Sequence, residues 1–564
     1  MSTVDSDARP LTVQGDRTIL AEVHAPGFAE ARDMLPLFAE LEKSPEHVHT
    51  YRITALSIWN AAASGLTDTS ILDFLERFSR YDIPPNVRRE IKENIRRFGL
   101  LRLERTDGVL RLGSSDADLL KSLGKAAGLK SYFDHSATTE AGLAVIEVQR
   151  GEVKQALIRM GYPVEDLAGY TPGAEMAFGF RTTMANSEKP FELRPYQSEA
   201  AAIFHAGGTE RGGSGVVVLP CGAGKTIVGM ACMQRLQTQT LILTTNTIAV
   251  RQWRTELLDK TDLRPDQVGE YTGDSKVVAP VTISTYQMIT YRRRKTGEFT
   301  HFALFGARDW GLVIYDEVHL LPAPVFRVTA EIQARRRLGL TATLVREDGR
   351  EDEVFSLIGP KKYDVPWKIL ERQGWIADAH CVEVRLGLAP SLNLDYLSAG
   401  NRERFRIASE NPDKLPVVAQ LVARHTDDRV LIIGQYLDQL DSLAESLGSP
   451  VITGRTPNKE RGLLYERFRS GDLRVLIVSK VGNFAVDLPD ANVAIQVSGT
   501  FGSRQEEAQR LGRILRPKSD RRPAVFYSVV TRDSREEHFA NNRQLFLTEQ
   551  GYTYEIKDVS ELQA

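Results

Sequence analysis

From Leu193 onward, short runs of aliphatic and β-branched residues alternate with helical stretches, and this alternation limits the possible folds more than any other feature. The runs are VVVL (216–219), LILT (241–244), VTIS (281–284), LVIYD (312–316) and LGLT (338–341). Strands that are apolar throughout need cover on both faces, which helices between parallel strands provide. A second set follows: VLIIG (430–434), VIT (451–453), VLIVS (475–479), VAIQV (493–497) and VFYSV (525–529). The pattern predicts two successive α/β domains, 186–384 and 416–564, with 385–415 as a less regular bridge.

A length of 564 residues leaves room for further units, at roughly 100–200 residues per domain. A strand is expected at Thr18–Val23. Asp68 is placed to cap a helix from Thr69 to Phe78, Pro84-Pro85 breaks the chain, and a second helix runs from about Asn86 to Phe98. LLRLERTDGVLRL then alternates about Asp107-Gly108, the signature of a hairpin with a type I′ turn. Helices followed by a hairpin suggest a winged-helix-like domain over 1–115. Its second helix carries Arg88, Arg89, Lys92, Arg96 and Arg97, readable as a nucleic-acid or partner face or as a solvated surface. Residues 116–185 suggest a small α+β domain, with a strand at Leu143–Val148 and a helix around Val153–Met160. TPGAEMAFGFRTTMANSEKP reads as a linker.

Composition excludes several classes. No apolar run approaches the roughly 18 residues of a membrane span, and the polar, acidic start MSTVDSDARP is neither a signal nor a transit peptide. Three cysteines (Cys221, Cys232, Cys381) without metal-ligand spacing rule out a disulfide framework and fit a reducing cytosol. A net charge of −2 is unlike a passive nucleic-acid coat protein, but suits an enzyme that grips a few phosphates in a cleft.

LPCGAGKT follows VVVL and opens a helix, the context in which a glycine loop holds phosphates. Gly222, Ala223 and Gly224 turn backbone N–H groups towards phosphate oxygens. Lys225 meets the β- and γ-phosphates, and Thr226 offers a hydroxyl to Mg²⁺. Leu219 stands where the general motif has its first glycine. In LVIYDEVH the apolar run delivers Asp316 to the sheet edge as a second Mg²⁺ ligand, and Glu317 can orient or deprotonate the attacking water. Upstream, in LRPYQ, Gln197 can read adenine with help from Arg194, which makes ATP the expected nucleotide. In LTAT, Thr341 and Thr343 are small hydroxyl residues at a strand end, suited to relaying between sites. QEEAQRLGRILRP (505–517) predicts an amphipathic helix with Gln509, Arg513 and Arg516 near one face, from which arginines can stabilise the γ-phosphate. Catalysis then needs both domains, so hydrolysis is linked to cleft closure.

Taken in order, RPYQ, GAGKT, DEVH, TAT and QRLGRILR resemble the helicase motifs of superfamily two. LTATLVRED, SKVGNFAVDLPDANVAIQVS, GSRQEEAQRLGRILRPK and RQLFLTEQGYTYEI narrow the resemblance to the XPB family of DNA repair helicases. It is strong from about Leu193 to Ile556 and extends to HVHTYRITALSIWNAAASGL; residues 120–185 correspond by position to the family's damage-recognition domain. The resemblance implies two tandem RecA-like domains and 3′→5′ unwinding or translocation on DNA in nucleotide excision repair, driven by ATP and Mg²⁺. It further implies that the RED triplet Arg346, Glu347, Asp348 opens duplexes, and that His319, Thr341, Thr343 and Asp487 couple the nucleotide to DNA. The family's thumb-like insertion is poorly matched by the short, irregular 388–412. Loops after the strands offer backbone contacts: Thr245 in TTN (244–246), Arg251, Ser284 and Thr285 in STY (284–286), TGRT (453–456), Ser479 and Lys480, with the basic runs Arg292–Lys295 and Arg335–Arg337 as possible aids.

Three alternatives stay open: an RNA helicase, a double-stranded DNA translocase that does not separate strands, and a nucleotide-binding scaffold that recruits a nuclease. DNA junctions and a nuclease are the expected partners, in the cytoplasm of a prokaryote or the nucleus of a eukaryote.

Overall fold

The computed structural model describes residues 9–43, 47–139, 142–220, 222–293, 299–332, 335–342, 351–365, 367–375, 379–479, 491–499, 523–549 and 554–563. The first unit contains β1 (Leu11–Val13), β2 (Thr18–Glu22), α1 (Phe28–Met34), β3 (Glu40–Lys43), β4 (Val48–Arg52), α2 (Ala55–Ala63), α3 (Asp68–Phe78) and α4 (Pro85–Arg97). Its strands form an antiparallel sheet in the order β1-β2-β4-β3, one strand of which was expected. The cap of α3 is Thr67, one residue before the expected Asp68: its hydroxyl accepts from Ser70 N–H at 3.1 Å. Pro85 opens α4, where its missing N–H costs nothing. On α4, Arg88 pairs with Glu76 and Arg97 with Glu93, while Arg89, Lys92 and Arg96 are exposed.

The hairpin forms with the predicted turn: Asp107 and Gly108 have φ of 52° and 76°, as type I′ requires. It does not complete a winged helix, however. Strands β5 (Leu101–Thr106) and β6 (Val109–Ser114) join β7 (Leu143–Ala144) and β8 (Val164–Asp166) in a separate sheet ordered β7-β6-β5-β8. Helices α5 (Ala117–Lys125) and α6 (Arg150–Arg159) belong to this second unit, so its start moves from 116 to about 101. The presumed linker lies against the first α/β domain: Met176 N–H donates to Gln237 O, Arg181 N–H to Lys260 O, and Phe178 is buried.

The first α/β domain contains α7 (Pro195–His205), β9 (Ser214–Val218), α8 (Lys225–Leu236), β10 (Thr240–Thr244), α9 (Thr247–Lys260), β11 (Val268–Tyr271), β12 (Val281–Thr285) and α10 (Tyr286–Ile289). It continues with β13 (Leu312–Asp316), α11 (Ala323–Glu331), β14 (Arg336–Thr341), α12 (Glu351–Leu357) and β15 (Lys361–Asp364). Its seven parallel strands run β11-β12-β10-β13-β14-β9-β15. Helix α13 (Trp367–Arg372) precedes β16 (Ala379–Leu386), which lies in the other sheet, so the domain boundary falls before 379 and not at 384.

The second α/β domain then adds α14 (Asn393–Ser398), α15 (Asn401–Ser409), α16 (Lys414–Arg424), β17 (Val430–Gly434), α17 (Leu437–Leu447) and β18 (Val451–Ile452). After these come α18 (Asn458–Ser470), β19 (Val475–Ser479), β20 (Val493–Gln496), β21 (Ala524–Thr531), α19 (Arg535–Glu549) and β22 (Tyr554–Asp558). Its seven parallel strands run β18-β19-β17-β20-β21-β16-β22, so both expected parallel sheets are present. The expected irregular bridge is largely helical. No described helix is long and apolar enough to cross a membrane.

The two N-terminal units dock on the first α/β domain. Trp59, Ile158 and Phe355, one from each, form a buried cluster. Lys361 N–H donates to Asn60 Oδ1 at 2.9 Å, and the Ser64 hydroxyl donates to Lys361 O at 3.0 Å. Helix α6 meets α11 with no room to spare: a Cβ on Gly151 would lie 2.5 Å from the Ala330 backbone. At its base, Asp166 accepts from Arg150 at 2.6 Å and from Lys154 at 2.8 Å.

Candidate active site

Because all strands of the first sheet are parallel, their C-terminal ends line one edge, where a helix N-terminus or loop follows each strand. Register aligns Thr341 with Val218, Asp316 with Leu340 and Thr244 with Thr285, so the motif loops share a level. The glycine loop follows β9. Leu219 is fully buried in the core, which accounts for the absence of a glycine there. Gly222 and Gly224 have φ of 82° and 81°. At Gly224 a side chain is also excluded by space, since a Cβ would lie 2.6 Å from Gln197 Nε2.

Gln197 is tied to the loop itself. Its Nε2 donates to Ala223 O at 3.0 Å, its Oε1 accepts from Arg194 N–H at 3.0 Å, and the residue is buried. Tyr196 O–H donates to the same carbonyl at 2.6 Å and accepts from Arg194 at 3.0 Å. Arg194 also lies 5.0 Å from the ring of Trp375. Gln197, expected to read adenine, therefore braces the phosphate loop, with Tyr196 as a second brace.

Lys225 at the start of α8 lies 3.3 Å from Glu317 Oε1. Glu317 itself has φ of 50°, a left-handed conformation that costs a non-glycine residue about 1–3 kcal/mol and concentrates at functional positions. Burial pushes the Glu317 carboxyl up, but Lys225, His319 and the Ala342 N–H outweigh it and hold the group below the usual range. Asp316 moves the other way. Burial first, and the Glu317 charge second, raise it to about 6 against the opposing pull of Trp253 and Lys225. A buried carboxylate destabilised by a like charge suits a hard dication. With the hydroxyl of Thr226 in the first turn of α8, the oxygen donor set fits Mg²⁺ shared with nucleotide phosphates. Asp316 and Thr226 would hold that ion, which would supply charge neutralisation at the transferring phosphate.

Behind the acid pair, His319 Nδ1 lies 2.7 Å from Thr341 Oγ1 and 3.5 Å from Glu317 Oε2, with His319 and Thr341 buried. Lys225, Glu317, His319 and Thr341 thus form one connected series. Trp253 Nε1 donates to Asp316 Oδ2 at 2.9 Å and Tyr286 O–H to Asp316 O at 2.8 Å. Motif reading passes over Trp253, since a lone tryptophan inside a helix carries no signal beyond burial; Tyr286 stands in the STY motif read as a backbone contact, and its hydroxyl is instead engaged with Asp316.

The expected backbone contacts divide. Thr245 is half-buried, and Arg251 is exposed, 3.9 Å from Asp274. Ser284 and Thr285 are buried and already engaged: Ser284 donates to Tyr271 O at 2.7 Å, and Thr285 accepts from Met288 N–H at the head of α10. Ser479 is buried at the end of β19. In the run 335–337, Arg337 is buried and donates to Leu357 O at 2.7 Å. Cys221, Thr343, Arg346, Glu347, Asp348, Lys480, Asp487, Gln509, Arg513 and Arg516 lie outside the described residues.

Three family models match the chain. "ERCC3/RAD25/XPB C-terminal helicase" covers residues 370–563, "Type III restriction enzyme, res subunit" covers 190–346, and "Helicase conserved C-terminal domain" covers 11–135. The chain is 52% identical to a Kineococcus radiotolerans protein named DNA 3'-5' helicase XPB, over 98% of this chain and 97% of that one. It is 51% identical to the Mycobacterium tuberculosis protein of the same name, over 98% of each. It is also 34% identical to the "General transcription and DNA repair factor IIH helicase/translocase subunit XPB" of Encephalitozoon cuniculi, over 98% of this chain and 83% of that one. With half of its residues shared along almost the full length of two such relatives, and a phosphate lysine set against an acid pair at the sheet edge, the chain belongs to the XPB family of DNA 3'-5' helicases.

Proposed function

We propose that this chain is an ATP-dependent DNA helicase that moves 3′→5′ and acts in DNA repair, with Mg²⁺ as the ion at Asp316 and Thr226. The observation that carries the reading is the connected series Lys225–Glu317–His319–Thr341. Its first member meets the γ-phosphate, its second prepares the attacking water, and the last two lead from the acid pair to the end of β14, from which the chain runs on to Arg346, Glu347 and Asp348. A change in phosphate occupancy at Lys225 shifts Glu317, and through His319 shifts the strand end that precedes the RED triplet. Arg513 and Arg516 complete the charge stabilisation from the second domain, assisted by Gln509, and Thr343 and Asp487 share the coupling. Thr245, Arg251 and Lys480 hold the DNA backbone, and a nuclease acts as partner.

The decisive experiment measures ATP hydrolysis and strand displacement on duplexes with 3′ or 5′ tails, in DNA and in RNA. Displacement of DNA from 3′ tails alone is expected. ATP-driven movement along duplex DNA without displacement would instead favour a pure translocase, a term that also stands in the name of the Encephalitozoon relative.

A narrower prediction concerns Thr341. Thr341→Val keeps the shape but removes the hydroxyl beside His319. Strand displacement should fall about tenfold or more while DNA-stimulated hydrolysis falls by less than about threefold, the pattern of a lost coupling contact worth roughly 1–2 kcal/mol. Equal losses in both assays would refute the coupling role.

A further inference from the structure

We infer that Trp253 is a positioning residue for Asp316, with Tyr286 as its second anchor, so that α9 and α10 together set the orientation of the metal-holding carboxylate. The inference rests on the nucleotide-hydrolysing reading above. An indole N–H can only donate and an ionised carboxylate can only accept, so the 2.9 Å contact from Trp253 Nε1 to Asp316 Oδ2 has one sense. Oδ1 accepts from Glu317 N–H at 3.1 Å, and the Asp316 carbonyl accepts from Tyr286 O–H at 2.8 Å. Both carboxylate oxygens and the backbone are therefore fixed, and rotation of the carboxylate costs a hydrogen bond in either direction.

Trp253 is itself held tightly. It is 1% exposed and packs on α8, where a Cβ at Gly229 would lie 2.5 Å from its Cη2. Gly229 lies one turn beyond Lys225 on that helix. The indole is thus wedged between the helix that carries the phosphate lysine and the strand that carries the acid pair. The two anchoring helices begin where β10 and β12 end. Asn246 caps α9 through Ile248 and Ala249 N–H, and Trp253 follows two turns later; Thr285 caps α10, and Tyr286 is its first residue. Both starts stand on the sheet edge that carries the motifs, and the one before α9 includes Thr245, a proposed backbone contact. A shift of either helix would be felt at Asp316 through a single hydrogen bond. This route is separate from the one through His319 and Thr341.

The test uses the full chain, N-methylanthraniloyl-ADP as a fluorescent probe, and a titration of free Mg²⁺. Trp253→Phe keeps an aromatic ring against Gly229 and removes only the donor, and Tyr286→Phe removes one hydroxyl. Outer-shell partners of metal sites affect metal affinity by about 10–100-fold. The Mg²⁺ concentration at half-effect should therefore rise by that factor in Trp253→Phe and by a smaller factor in Tyr286→Phe, with metal-free ADP affinity unchanged. An unaltered Mg²⁺ midpoint in Trp253→Phe would overturn the inference, and so would a parallel loss of metal-free affinity, which marks a packing role alone. Failure of the unsubstituted chain to bind the probe at all would sink the underlying nucleotide reading instead.

Discussion

Lys225→Ala should abolish DNA-stimulated ATP hydrolysis while leaving the fold intact. The side chain is nearly enclosed and sets its ammonium 3.3 Å from Glu317. Its removal takes away the positive charge that meets the γ-phosphate, and positioned charges of this kind are worth about 10²–10³ in rate. It also takes away the first contributor holding the Glu317 carboxyl down against burial, and with it the ion pair that fixes the carboxylate at the loop. Both effects lower turnover, and neither touches the core, because Lys225 stands at the first position of α8 with its ammonium beside Glu317. Steady-state hydrolysis with saturating single-stranded DNA, paired with a circular-dichroism melt, checks both halves. Hydrolysis near the unsubstituted rate would remove the basis for assigning this loop to phosphate binding.

What was legible in the sequence follows from the range of each interaction. The central strands β9, β10, β12, β13, β14, β17, β19 and β20 are mostly aliphatic or β-branched because helices cover both faces, and each stood out as a run. Strands β15 (KKYD) and β22 (YEIKD) lie at sheet edges and keep polar residues, so their sequences resemble loops. β16 is hidden differently: AHCVEVRL carries fully buried Glu383, tolerated because Arg385 and Gln544 satisfy it. The hairpin was readable from its turn, but its partners β7 and β8 lie far along the chain and no local signal names them. The site divides along the same line. Lys225, Asp316 and Glu317 lie in contiguous motifs, whereas the bonds from Trp253 and Tyr286 to Asp316 span 63 and 30 residues. Gln197 shows the converse: its motif was visible, and its engagement with Ala223 was not.

The second large effect is expected at Asp166. Arg150 and Lys154 reach its carboxylate from one face of α6; both are buried and the Asp166 side chain is largely enclosed where α6 docks on the first α/β domain. Replacing Asp166 with Ala would strand two cations without their counter-charge, at a cost of about 3–5 kcal/mol. The pH dependence carries its own signature. Burial pushes Asp166 up, yet Lys154 and Arg150 hold it well below the ordinary carboxylate value. Its contribution is thus complete above the unfolded value near 4 and is lost only as pH falls far below that. Lys154 behaves oppositely: burial, with the charges of Arg337 and Arg150, lowers it to about 8 despite Asp166. A lysine lowered in the folded state binds fewer protons folded than unfolded, so stability rises with pH between the two values. Without Asp166 the folded value drops further and this window opens lower. The deficit of Asp166→Ala should therefore shrink between pH 7 and pH 9 in denaturant melts. A deficit that is flat across that range would argue against a buried charged lysine.

The strand order of the second sheet has a consequence for how the molecule is made. β16 is flanked by β21 and β22 alone, and the first of these follows it by about 140 residues. At synthesis rates of about 5–20 residues per second, β16 waits roughly 7–30 seconds beside the ribosome with both edges unpaired. During that interval every strand of the first α/β sheet has been made, but the second has no closed sheet. Buried Glu383 in the middle of the waiting strand is then useful: while unpaired it and Arg385 keep charges on a segment otherwise rich in apolar residues, which discourages pairing with another nascent chain.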